Sequence, residues 1–107
     1  MDDEKAEDAA NEAVDPDRLL EGERQDSGYL DDATHWRQVY GELLIVKRDL
    51  LHVVEERLDK TLHFEARREV VHTDLVVLDA ELKRFVRRHD FWTRRCQELV
   101  EQASSQR

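Results

Sequence analysis

The sequence predicts an all-α protein: a long antiparallel helical hairpin of coiled-coil type, paired with a second copy into a four-helix bundle, behind a disordered acidic N-terminal tail. Three observations predict it. The stretch from Phe64 to Ala103 contains no Gly and no Pro. Its inward positions recur at alternating intervals of four and three, through Val71, Leu75, Leu78, Leu82, Phe85, His89, Trp92, Cys96, Leu99 and Ala103. That is the heptad seam of a helix laid lengthwise against other helices. Charge also divides the chain: residues 1–32 hold 13 acidic and 3 basic side chains, residues 33–107 hold 13 and 14. The overall net charge of -9 therefore belongs to the arm.

Residues 1–30 read as an acidic, largely disordered arm, too poor in large apolar groups to bury a core. Within it, Pro16 after Asp15 is a helix-start signal and Gly22 a stop, so one short turn carrying Leu19 and Leu20 is expected. Ser27-Gly28 then forms a turn before two further apolar anchors, Tyr29 and Leu30. The N-terminus lacks the apolar core of a secretory signal, and no apolar run approaches the roughly 18 residues a spanning helix needs. A cytoplasmic protein without membrane attachment is expected. Arg supplies 13 of the 17 basic residues, a bias suited to a GC-rich bacterial genome.

Residues 31–107 form the predicted hairpin. The first helix is expected over about residues 32–59, capped by Asp31 or Asp32, which suit the positive end of the helix dipole. Its inward seam reads Trp36, Val39, Leu43, Val46, Leu50 and Val53. A second stripe, Tyr40, Leu44, Lys47, Leu51, Val54 and Leu58, lies about 100° round the helix. A helix this apolar is usually buried from more than one side. Gly41 falls mid-helix on the outer face and should cost about 1 kcal/mol relative to Ala.

The junction, residues 59–63, has no Gly or Pro. Thr61 can cap a second helix over about 64–103, with Glu65 in its first turn; one continuous helix is the competing reading. Folding back at 60–63 brings Asp31 opposite about Trp92. Helix lengths of about 42 and 60 Å would then leave Cys96, Leu99 and Val100 without a partner from the first helix. Tyr29 and Leu30, or a second subunit, could cover them. The overhang and the second stripe together predict a homodimer, since about 75 folded residues make a marginal core alone.

Catalytic and metal chemistry find little support in the sequence. Glu69 and His72, like Asp49 and His52, have the i, i+3 spacing of bundle metal sites, but these residues lie off the seams, whereas ligands in bundles project inward. His89 sits on the seam as a buried register-setting residue or a pH-sensitive one. Cys96, the single cysteine, reads as a buried thiol, about 10 Å from His89 by helix rise and so too far for a dyad. No catalytic residue, metal ligand or cofactor is assigned.

The charge pattern carries more. Arg84, Arg87, Arg88, Arg94 and Arg95 read as a row along one outer face of the second helix, with Phe91 exposed among them. A solvated face is the default. Next comes docking of an acidic protein segment, with this chain's own arm the nearest candidate. Nucleic-acid binding, autoinhibited by the acidic arm, is the alternative function. The expected function is a small non-enzymatic adaptor or regulator acting by helix–helix contacts. Its anchors would be Trp36, Tyr40, Leu44, Leu51 and Leu58 on the first helix, or Phe91, Trp92 and the arginines on the second.

Overall fold

The computed structural model describes residues 15–60 and 75–105; the side chains of residues 58–60 lie outside that description. Two long helices dominate, α1 (Leu30–Lys60) and α2 (Val76–Ser105). They run antiparallel: Thr34 lies beside Cys96, Tyr40 against Phe85, and Lys47 pairs with Glu81. This is the expected all-α hairpin. The junction at residues 61–63, the first turns predicted for the second helix and Val71 lie outside the described residues. Among the described residues, no helix is long and apolar enough to cross a membrane.

Helix α1 starts at Leu30, so Asp31 and Asp32 occupy its first turn rather than the cap. There they still complement the exposed backbone N–H groups. Asp32 also accepts a 2.6 Å hydrogen bond from the Ser27 hydroxyl, which ties the helix start to the preceding turn.

The core is built from Ala33, Tyr40, Leu44, Phe85, Trp92, Cys96 and Leu99, with Leu20, Trp36, Leu43, Leu82 and Phe91 packed against it. Each large side chain so buried contributes about 1.5–3 kcal/mol. Along α2 the seam positions Leu78, Phe85, Trp92, Cys96 and Leu99 are buried and Leu82 half-buried, whereas Ala103 at the end is exposed.

Along α1 the expected seam turns inward only in its first half, where Trp36, Val39 and Leu43 are half-buried and Trp36 and Leu43 pack on the core. Tyr40 and Leu44 face the core, while Val46, Leu50 and Val53 are 61%, 43% and 42% exposed. The reason is a third element. Gly41 and Thr34 look toward α2, and Trp36 looks toward the arm at Gly22. These directions differ by about 140° round the helix. Tyr40 lies between them and is covered from both sides.

The register differs as well. With Thr34 beside Cys96, the partner of Trp92 lies roughly two turns further along α1 than Asp31. Cys96 and Leu99 are consequently buried, and the overhang shrinks to residues such as Val100, which is exposed. Gly41 is not on the outer face: a Cβ built there would sit 3.7 Å from His89 Nε2.

Candidate functional site

The arm was expected to be largely disordered through residue 30, yet from Asp15 onward it forms three successive turns. Backbone bonds close them: Arg18 N–H to Asp15 O at 3.0 Å, Glu23 N–H to Leu20 O at 3.0 Å, and Ser27 N–H to Arg24 O at 3.2 Å. In the middle turn Gly22 adopts φ +84° at the third position. A type II turn requires that conformation, and glycine adopts it without a Cβ penalty. Residues 1–14 lie outside the described residues.

The middle turn delivers Glu23 into the core. Its carboxylate is held by five donors. Oε2 accepts from Arg88 Nη2 at 2.8 Å, Arg88 Nε at 3.2 Å and Trp92 Nε1 at 2.7 Å. Oε1 accepts from the Leu20 N–H at 2.9 Å and from the Tyr40 hydroxyl. Glu23 and Arg88 are only 6% and 4% exposed, and Tyr40 and Trp92 are fully buried. The Arg88 guanidinium also stacks on Phe91, 4.5 Å from the ring centre, and Phe91 meets Trp92 edge-on. Each buried polar handle thus has a partner, as burial demands.

Burial pushes the Glu23 carboxyl up, but the bonds from Tyr40, Leu20, Trp92 and Arg88 outweigh it and hold the group below its ordinary value. Tyr40 moves the other way. Burial, then its bond to the anionic Glu23, pushes the phenol up to about 12. Glu23 is therefore an anion at neutral pH, matched by the Arg88 cation.

The anchors expected for the arm are only partly those used. Leu20 packs on the core, but Tyr29 is 75% exposed and Leu30 also faces solvent. Glu23 went unnoticed because a lone acid in an acidic arm carries no pattern. A signal existed elsewhere: seam-side Tyr40 and Trp92 each bring a polar group that needs a partner when buried.

The arginines do not share one outer face. Arg84 and Arg88 are buried beside the seam. Arg84 lies over the Phe85 ring, and its Nε has no hydrogen-bond partner. Arg95 donates to the Ser27 carbonyl at 3.1 and 3.3 Å. Positions 84, 88, 91 and 95 form a stripe at three- and four-residue spacing, of which Arg88 and Arg95 bond to the arm, and Phe91 on it is half-buried rather than exposed. Arg87 and Arg94, seven residues apart, face solvent on another line, and Arg87 pairs with Asp17 at 2.7 Å. Arg48, Arg87 and Arg94, with Leu82, Val86 and Asp90, line a shallow groove of about 440 Å³.

Among the anchors expected on the first helix, Trp36 and Leu51 are half-buried, and Tyr40 and Leu44 are buried within the chain. The Leu58 side chain lies outside the described residues. Asp49 and His52 are exposed, and His52 faces Glu56 at 3.3 Å. Glu69 and His72 lie outside the described residues. Among those described, no three His, Cys, Asp or Glu gather as a metal set.

Two features stand out among the described residues: the Glu23 carboxylate in its socket of Tyr40, Arg88 and Trp92, and the exposed stripe of Val46, Leu50 and Val53. Compared with family models, curated proteins and solved structures, the chain matches none.

Proposed function

We propose that the chain is a non-enzymatic helical interaction protein, a small cytoplasmic adaptor or regulator, whose contact surface is the outer stripe of α1. One observation carries this: Val46, Leu50 and Val53 keep heptad spacing yet face solvent. A stripe with that spacing packs against another helix. A second copy supplies one, and pairing two hairpins along it makes a four-helix bundle. Glu42, Asp49 and Glu56 run down one exposed edge of the stripe at heptad spacing. Flanking charges of this kind set the orientation of the pair, and two copies fit best with their acidic edges kept apart.

The nucleic-acid alternative draws less support. Of the five arginines, Arg84 and Arg88 are buried and Arg87 and Arg95 bind the chain's own arm, which leaves Arg94 exposed without a described ion pair.

Light scattering on a sizing column tests the self-association reading. The full chain is expected to run as a dimer, and Val46→Glu with Leu50→Glu as a helical monomer. A wild-type monomer, or a double variant that stays dimeric, overturns it.

A further inference from the structure

Glu23 fills its site the way a ligand fills a receptor. The three side chains that surround it, Tyr40, Arg88 and Trp92, come from the two helices and not from the arm. They are held in place by contacts that do not involve Glu23: Tyr40 lies on Phe85, and Arg88 and Trp92 lie on Phe91. The donor fork of Arg88 and the indole N–H converge on one oxygen while the phenol takes the other. Paired donors aimed at the two oxygens of one carboxylate are a recognition geometry.

Elsewhere the described contacts of the arm lie at or near the surface. Asp17–Arg87 is a surface pair, with both side chains about 60% exposed or more, and such pairs contribute roughly 0–1 kcal/mol. At the joint between arm and α1, Gly28 has no neighbour within 4 Å of a built Cβ and Tyr29 is exposed; the joint is held by polar contacts of Ser27, to Asp32 and from Arg95, with no buried apolar side chain. Leu20 and Glu23, brought together by the Gly22 turn, are the arm's buried attachment. Beneath the turn lies Trp36, the upstream end of the heptad line that continues to Val46, Leu50 and Val53. When the turn lifts, that line becomes one apolar strip along most of α1.

We propose that the Tyr40–Arg88–Trp92 socket is a carboxylate-binding site for a peptide, occupied in cis by Glu23 and open in trans to a partner segment that carries an apolar residue three positions before a glutamate. This rests on the interaction reading above and assigns it a second contact and a regulator. The arm is the resident competitor. A partner that supplies its own leucine and glutamate displaces the turn and gains the strip beneath it. The position of Leu20 sets the apolar requirement, because its side chain packs on the core while its N–H donates to the same carboxylate.

The test uses the full-length chain labelled with nitrogen-15 and follows the Trp92 indole N–H, which Glu23 accepts in the resting structure. A Trp36→Phe variant assigns the resonance. Glu23→Ala empties the socket and should move that resonance. The probe is a synthetic peptide of residues 17–29. It should return the resonance toward its wild-type position in a saturable way, and the same peptide with Glu23→Gln should bind at least about tenfold more weakly, for want of a charge-assisted bond. The wild-type chain, whose own Glu23 competes, should need far more peptide.

A folded Glu23→Ala chain whose indole ignores the peptide overturns the proposal, as does a Gln peptide that binds equally well. Acetate acting at the same concentration as the peptide overturns the peptide assignment. Should Glu23→Ala lose its helical circular dichroism, Gly22→Val replaces it. Valine is strained at φ +84°, so the turn is unseated while all three donors remain, and the same titration decides. The readout at Trp92 does not involve Val46, Leu50 or Val53, so failure of the socket and failure of the stripe are read separately.

Discussion

Along α2 the residues that keep the seam spacing, from Leu78 to Leu99, are buried or half-buried, whereas along α1 the matching line runs out to Val46, Leu50 and Val53 in solvent. The two helices differ in how many stripes they carry. The seam of α2 is a single apolar stripe with charged neighbours: Lys83 and Arg87 stay exposed, and Arg88, buried beside the seam, is matched there by Glu23. Helix α1 carries two apolar stripes side by side, and periodicity is satisfied by either. What decides between them is polar. Tyr40 sits on the stripe that can meet both α2 and Glu23, and a phenol buried there has an acceptor. The heptad pattern proposes faces; the hydrogen-bond requirement chooses one.

The sharpest break of this comparison is to truncate one residue from each helix. Trp92→Ala should cost about 3–5 kcal/mol in urea unfolding, through the cavity and the lost indole bond to Glu23. Leu50→Ala, measured at a dilution where the chain is monomeric, should stay within about 0.5 kcal/mol, as exposed positions do. Its cost should grow with protein concentration if the stripe pairs two copies, because association stabilises only the folded chain. A large cost for Leu50→Ala at every concentration would mean that the stripe is covered within one molecule.

Next in size is the polar choice itself. Tyr40→Phe keeps the ring on Phe85 and removes only the bond to Glu23, so a loss of about 1.5–3 kcal/mol is expected, as for bonds to charged groups. The same bond predicts the pH dependence at both ends. Glu23 is depressed in the folded chain, so its contribution is complete above the ordinary value of 4.5 and is lost as pH falls through the lower folded value. Tyr40 is raised, so its contribution is complete below the ordinary value of 10.0 and is lost as pH rises toward about 12. Tyr40→Phe should abolish the alkaline loss specifically. If the alkaline limb survives in Tyr40→Phe, the phenol is not the group that titrates.

The hairpin and the inward face of α2 were legible because both rest on period and on the absence of Gly and Pro. The register was not, because no Gly or Pro marks the turn between the helices, and a shift of the turn by a few residues moves every facing pair. Nor was the division of the arginines. A row at 84, 87, 88, 94 and 95 looks continuous in sequence, but 100° per residue puts Arg88 and Arg95 on a buried or half-buried line and Arg87 and Arg94 on an exposed one. Glu23 was illegible for a different reason: its side-chain partners are 17 to 69 residues away, and only the fold brings them together.

The smallest effect tests the helix–helix distance. Gly41 lies nearly opposite the seam expected for α1; with the second stripe inward, it faces His89 instead of solvent. A methyl there meets Nε2 at 3.7 Å and Cδ2 at 3.8 Å, both ordinary contacts. Helix propensity then sets the sign. Gly41→Ala should stabilise by up to about 1 kcal/mol, because alanine gives up less backbone entropy in a helix interior. Thermal unfolding measures it. A loss instead of a gain would mean that α1 and α2 pack closer at this level than the His89 ring allows, and that the glycine is there for the approach of the two helices.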